Sequence, residues 1–346
     1  MSLDLSHLDN KPLETITEGN LTKILLTNSN MSMFQSCRWK YWVRQMKFLV
    51  PTYKDGALSF GSAYHNGIEN YYKGLRAKKL PMNALDDQTL IATQDQIEHD
   101  LSSTNPNTEP DHSIPTRAKA MVKGFISHYK HSPYQIEELE TPFLLKMEDA
   151  PDFELDGHKY EFWLSGQMDA LMRHTATGVP YIGEWKTCTQ FADFISKVKV
   201  DNQPWHYMLC RHLLTGEAPG GVVYRIARKS LIRQKKDEST EDFFGRIIEQ
   251  YTTLEKEHYH EEIIYYEPRR IDRHIEFLNQ IALDIRNAIV NDLWYRHKGA
   301  CFNYNKPCGY MKLCNTYNEG DFNMLASAYY AIEKPNNEIT EDPISA

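Results

Sequence analysis

The chain has 346 residues, with 39 Lys and Arg against 47 Asp and Glu, a formal charge of −8, and 41% hydrophobic residues. This composition excludes an intrinsically disordered chain, and no apolar run approaches the roughly 20 residues of a membrane-spanning helix. The first twenty residues carry neither a basic flank nor an apolar stretch, so no secretory signal is expected; in a reducing cytoplasm, spaced cysteines more often bind metal or act chemically than form disulfides.

Residues 1–28 are polar and weakly patterned and read as an arm. Helical spacing begins near Asn30, with Asn30 or Ser32 as cap before Met33, Phe34, Cys37, Tyr41 and Val43. Further helices are expected over Phe60 to Leu75, Ala84 to Leu101 and Thr116 to His131, with a polar loop from Ser102 to Ile114. After Pro133 the pattern turns to short β-prone runs. These are Phe143 to Leu145, Tyr160 to Leu164, Gln167 to Met172 and Tyr181 to Trp185, punctuated by Gly157, Gly166 and Gly178. A helix over Gln203 to Leu214, a strand over Val222 to Ala227, a charged helix from Glu241 to His258 and a strand from Ile263 to Tyr266 come next. Ile271, Ile275, Leu278, Ile281, Ile285 and Ile289 mark a long amphipathic helix. The expectation is an α/β domain over 29–320, a central mixed β-sheet flanked by helices with a helical N-terminal subregion, and a polar tail over 321–346.

One constellation carries chemistry. In a strand, Glu184 and Lys186 project to one face and Trp185 to the other. If Gly166 to Met172 pairs with Tyr181 to Thr187 as a hairpin, Asp169 reaches the same pocket as Glu184. Two hard carboxylates with the Trp185 backbone carbonyl suit Mg²⁺ or Mn²⁺, which activates water and polarises a phosphoryl oxygen. Lys186 then positions the water or stabilises charge on the phosphate. Taken alone, Glu-X-Lys equally describes surface charges on a strand.

Five short motifs between Asn30 and Cys314 resemble the RecB-like branch of the PD-(D/E)XK nuclease superfamily, which includes CRISPR-associated adaptation exonucleases and AddB-type nuclease domains. They are Cys37-Arg38-Trp39-Lys40-Tyr41, the Gly61-X-X-X-His65 helix, Asp169, Glu184-Trp185-Lys186, and Gln203-X-X-X-Tyr207. The resemblance implies a restriction-endonuclease-like core, His65 as a metal ligand beside Asp169 and Glu184, and Gln203 and Tyr207 facing DNA. It further implies that Cys37 with Cys301, Cys308 and Cys314 holds a 4Fe–4S cluster. Four thiolates suit Zn²⁺ as well, and four ordinary reduced thiols are the plain alternative. The five residues between Cys308 and Cys314 match the family's usual last spacing; the six between Cys301 and Cys308 exceed the usual two.

The run Arg225 to Lys236 contains six basic residues and no acid, a local reversal of sign in an acidic chain. Arg225, Arg228 and Lys229 either line a groove that tracks phosphates or belong to a solvated loop. The expected function is a Mg²⁺- or Mn²⁺-dependent DNA exonuclease in recombination, repair or phage DNA processing. It would act on single-stranded DNA or free ends, in the host cytoplasm if phage-encoded, with any helicase a separate partner because no P-loop is present. The rivals are a non-catalytic DNA-end-binding assembly protein and a structure-specific endonuclease.

Overall fold

The computed structural model of the chain describes residues 15–18, 20–52, 56–102, 113–303, 306–316 and 318–332. In chain order these form β1 (Thr15–Glu18), β2 (Leu21–Leu26), α1 (Asn28–Ser36), α2 (Arg38–Tyr41), a π-helical turn (Trp42–Met46) and β3 (Leu49–Pro51). Then come α3 (Gly56–Ala77), α4 (Asp87–Ser102), α5 (Ser113–Tyr129), β4 (Tyr134–Lys146), β5 (Phe153–Leu155), β6 (His158–His174) and β7 (Pro180–Cys188). These lead to α6 (Phe191–Val198), α7 (Gln203–Thr215), β8 (Gly221–Arg228), α8 (Thr240–Thr253), α9 (Glu255–His258) and β9 (Tyr259–Tyr265). Last are α10 (Pro268–Val290), β10 (Phe302–Asn303), β11 (Lys306–Pro307), α11 (Met311–Cys314), α12 (Glu319–Tyr329) and β12 (Tyr330–Ile332). The protein is α/β with mixed strand pairing, and no described helix is long and apolar enough to cross a membrane.

The chain divides into two compact units where a single domain is expected from the sequence. One is drawn from Met1–Tyr53, Pro142–Gly166 and Pro268–Ala346, the other from Lys54–Thr141 and Gln167–Glu267. In the first, β2 pairs in parallel with the start of β6 (Leu21↔Lys159 to Leu26↔Leu164), while β1 and β5 pair antiparallel to β2 and β6. Residues 15–18 and 21–26 are thus strands rather than part of an arm. Ile24, Leu25 and Leu26 are buried, and their partner lies more than 130 residues away, a pairing that no local pattern announces. Likewise β12 pairs with β3 (Tyr330↔Pro51), and α12 is capped by Asn318, which accepts from the Asp321 N–H at 2.8 Å. The expected tail is therefore folded through Ile332, and residues 333–346 lie outside the described set.

In the second unit the end of β6 pairs antiparallel with β7, β7 runs parallel to β8 through α6 and α7, and β8 pairs antiparallel with β9. A parallel neighbour needs such a crossover. Helix α7 has Pro204 in its first turn and ends at Gly216, whose φ of 69° closes the helix with an N–H to the His212 carbonyl. Tyr64, Ile68, Tyr71, Tyr72 and Leu75 form the buried stripe of α3. They pack with Phe125 of α5, Phe243 and Tyr251 of α8, and Trp185 and Val223 of the strands.

Local differences have local causes. The first helix starts at Asn28 because the Thr27 hydroxyl accepts the Asn30 N–H at 3.1 Å, and Cys37 interrupts it in an extended conformation (φ −164°). Gly166 does not break β6, which runs unbroken through both runs expected on either side of it. The charged helix expected over 241–258 is split at Leu254 (φ −115°, ψ 41°). The loop expected over 102–114 overlaps helix at both ends, and its middle lies outside the described residues.

Candidate metal and catalytic site

The β6–β7 ladder is registered Ala170↔Gly183, and beyond that pair the next inward N–H, from Trp185, donates to the Asp169 Oδ2 at 2.6 Å instead of to backbone. Asp169 thereby takes the place of a strand partner where the ladder ends. Alternation along β7 sends the Trp185 indole into the helical core, 5.5 Å from Phe125, and Glu184 and Lys186 to the other face, where their side chains are ion-paired. Glu184 is 1% exposed. From α3, His65 lies beside the buried stripe headed by Tyr64, and its Nδ1 stands 3.4 Å from Asp169 Oδ2.

The second-unit residues expected at the site from the sequence are therefore neighbours, but a further one joins them. Donor atoms of His65, Glu140 and Asp169 lie within 4.8 Å of one another, the one such group among the described residues. Glu140 is on β4, outside every motif of the sequence. Its signal was weak: Tyr134 and Ile136 alternate inward along the strand, and Glu140 continues their parity in an acidic run. Its backbone φ of 46° is left-handed, a conformation that costs a non-glycine residue about 1–2 kcal/mol and accompanies functional positions. Gln167 holds it, its side-chain amide donating to Glu140 Oε2 at 2.6 Å.

Gln203 and Tyr207, expected to face DNA, are committed inward. Gln203 Nε2 donates to Glu184 Oε1 and to the Tyr207 hydroxyl, both at 3.0 Å, and that hydroxyl donates to the Gln167 carbonyl at 2.8 Å. Glu184, Gln203, Tyr207, Gln167 and Glu140 thus form one continuous hydrogen-bonded chain. Tyr207 is buried, so it positions the carboxylates rather than presenting a surface.

The charges are strongly interdependent. Burial and then the Asp169 charge push the Glu184 carboxyl up to about 7. Burial, Asp169 and Glu69 bring Glu140 up to about 7 as well. Burial alone would raise Asp169, but His65, Lys186 and the Trp185 N–H hold it below the usual carboxylate value. Burial opposes the charged forms of His65 and Lys186, yet the neighbouring carboxylates raise both. Glu184 Oε2 is buried with no hydrogen-bond partner. Glu184, expected as a ligand with His65 and Asp169, stands outside the group whose donors lie within 4.8 Å; the two carboxyls and the imidazole of that group fit a hard divalent cation.

The basic run divides. Arg225 does not line a groove: it is 1% exposed, its Nε 3.2 Å from Glu261 and its guanidinium 4.3 Å above the Tyr129 ring. It is buried because both faces of β8 are covered, every residue from Gly221 to Ala227 being buried. Arg228 and Lys229 are half-buried, Lys229 over the Phe60 ring, whereas Arg233, Lys235 and Lys236 are exposed.

In the first unit, Cys37, Cys308 and Cys314 share an apolar cluster with Trp39, Tyr310 and Leu313. The β10–β11 hairpin fills the six-residue gap and brings the Cys308 N–H to the Cys301 carbonyl at 2.8 Å. Burial raises the Cys314 thiol, Arg296 opposes, and Cys301, Cys37 and Cys308 add to the rise. All four are free thiols and do not converge within 4.8 Å, whereas a tetrahedral zinc with bonds of 2.3 Å sets its sulfurs about 3.8 Å apart. No protein-family model matches the chain, and no curated protein matches it.

Proposed function

We propose that the protein is a divalent-metal-dependent deoxyribonuclease of the PD-(D/E)XK type, acting as an exonuclease. The observation that carries this reading is His65 set against Asp169 on the strand next to the Glu184–Lys186 pair, with Glu184 Oε2 buried and unpartnered. Asp169 and Glu184 with His65 would hold Mg²⁺ or Mn²⁺, and the Trp185 carbonyl would supply a further oxygen. The ion, when bound, supplies Lewis-acid polarisation of the phosphoryl oxygen and a lowered pKa for the attacking water. Lys186 remains an ammonium, because Glu184 and Asp169 hold its pKa up, and so stabilises charge developing on the phosphate rather than acting as a base. Gln203 donates to Glu184 Oε1, and the buried Oε2, which has no partner, is the atom that would be offered to the cation.

The register Lys186↔Ile226 and Cys188↔Arg228 supports the position of the substrate. It sets Arg228 at the same end of the parallel strands as Lys186, so that Arg228 and Lys229 would meet the backbone of a DNA strand there, with the exposed Arg233, Lys235 and Lys236 following in the same run. The four cysteines are proposed to hold a 4Fe–4S cluster, which spreads its thiolates farther apart than a single zinc ion does. A brown anaerobic preparation that loses its visible absorbance in Cys37→Ser supports the cluster; a colourless zinc-loaded one refutes it.

The test of the activity is digestion of end-labelled linear DNA, single- and double-stranded, beside closed circles. Mn²⁺-dependent loss of linear DNA alone, abolished in Glu184→Ala, is expected. Cutting of circles would make the enzyme an endonuclease. No cleavage by folded protein in either metal would leave a DNA-end-binding role.

A further inference from the structure

We propose that Glu140 is a third protein ligand of the cation held by His65 and Asp169, fixed for that role by Gln167. This rests on the reading of His65 and Asp169 as cation ligands, but not on the substrate. Donors bonded at about 2.1 Å to an octahedral ion lie about 3 Å apart when adjacent and about 4 Å when opposite. His65, Glu140 and Asp169 already stand within 4.8 Å of one another, so a small inward movement completes the site.

Three further observations favour ligation over a plain surface carboxylate. Glu140 holds a left-handed backbone, a strained conformation for a non-glycine residue that accompanies functional positions. Gln167 donates to one carboxylate oxygen, the second-sphere support that metal-ligating carboxylates require. Glu184, joined to Glu140 through Gln203, Tyr207 and Gln167, is almost wholly buried with Oε2 unpartnered, a carboxylate oxygen left for a ligand beside the group. Because Gln167 also accepts from Tyr207, which is joined through Gln203 to Glu184, the carboxylates on β4 and β7 are positioned by one hydrogen-bonded chain.

The experiment is a titration of the full-length protein with Mn²⁺ alone, without DNA, followed by the electron-paramagnetic-resonance signal of free Mn²⁺. Glu140→Gln is expected to weaken binding about 10-fold or more. Glu69→Gln removes an equal charge one turn from His65 and is expected to change it less than about 3-fold, at the level of a screened long-range charge. Glu140→Asp keeps the charge but retracts the oxygens by one methylene. It is expected to weaken binding too, and it carries the test should Glu140→Gln not fold, as judged by circular dichroism. Wild-type affinity in Glu140→Asp and Glu140→Gln, equal weakening by Glu69→Gln, or no saturable Mn²⁺ binding by the wild type would each overturn the proposal. Mn²⁺ binding that depends on Glu140 in a protein that cuts no DNA would retire the nuclease reading and leave this one standing. Mn²⁺-dependent DNA cutting with Glu140 irrelevant to binding would do the reverse.

Discussion

Replacing Glu184 with glutamine is expected to stabilise the protein in EDTA at pH 8 while abolishing its activity. Glutamine copies the shape of the protonated acid, and the Glu184 carboxyl is held at about 7 against 4.5 for a free one. An acid whose pKa is higher in the folded chain than in the unfolded chain binds its proton more tightly when folded. Its ionisation therefore penalises folding progressively from pH 4.5 upward, fully above pH 7, and not at all well below 4.5. At 1.36 kcal/mol per pH unit, the difference amounts to about 3 kcal/mol, an upper bound because burial and the Asp169 charge are not independent. Urea denaturation in EDTA, at pH 8 and pH 5, reads the difference between Glu184→Gln and wild type. The variant is expected to lead by up to about 3 kcal/mol at pH 8 and by little at pH 5, where the wild-type carboxyl is itself protonated in the folded chain. Saturating Mn²⁺ is expected to narrow or reverse the order at pH 8, since it stabilises the wild type, which keeps every ligand, more than the variant. A variant no more stable than wild type at pH 8 would refute the argument that this carboxylate is held against its own electrostatics.

Arg225→Met is expected to lower stability by about 2 kcal/mol. It strands Glu261, whose partial exposure softens the loss expected of a fully buried pair, and removes the cation over Tyr129. Filter binding at matched folded fraction is expected to give wild-type affinity for DNA. A selective loss of binding would return Arg225 to the nucleic-acid surface. Gly124→Ala drives a Cβ into the Tyr259 hydroxyl and to 2.9 Å from Tyr251 Cβ, and the hydroxyl donates to the Met121 carbonyl at 3.0 Å. Overpacking together with that displaced bond is expected to cost about 2–3 kcal/mol, read as a lower thermal midpoint; an unchanged midpoint would show that α5 shifts freely there.

The hairpin that carries Asp169 and Glu184 was legible because strand alternation is local: Gly178 and Pro180 mark the turn, and the side-chain period of two separates Trp185 from its neighbours. His65 is not marked by helical spacing, which reads a histidine in an aromatic-rich helix as structural; only the likeness of the Gly61-X-X-X-His65 helix to the nuclease branch points to it. Glu140 was not legible, since its place depends on a single left-handed residue and on a bond to Gln167, 27 positions away. Arg225 misled for a related reason. A basic run is read as one surface, but this one begins inside a strand covered on both faces, and Glu261 across the β8–β9 ladder (Arg225↔Glu261) is there to receive the guanidinium. The parallel partner of β2 and the β3–β12 pairing join segments so distant that only tertiary structure brings them together.

The β3–β12 pairing also sets an order of events during synthesis. The unit that holds His65, Glu140, Asp169 and Glu184 has all its chain by Glu267, whereas the cysteine-bearing unit begins before it and awaits Tyr330–Ile332 to complete its last strand pair. At about 5–20 residues per second, roughly 3–13 seconds separate the ribosome's passage of those two points. During that interval the His65–Glu140–Asp169 group can form while Leu49–Pro51 still lacks its partner strand, so a chain stalled before residue 330 would carry the candidate metal site together with an open strand edge in the other unit.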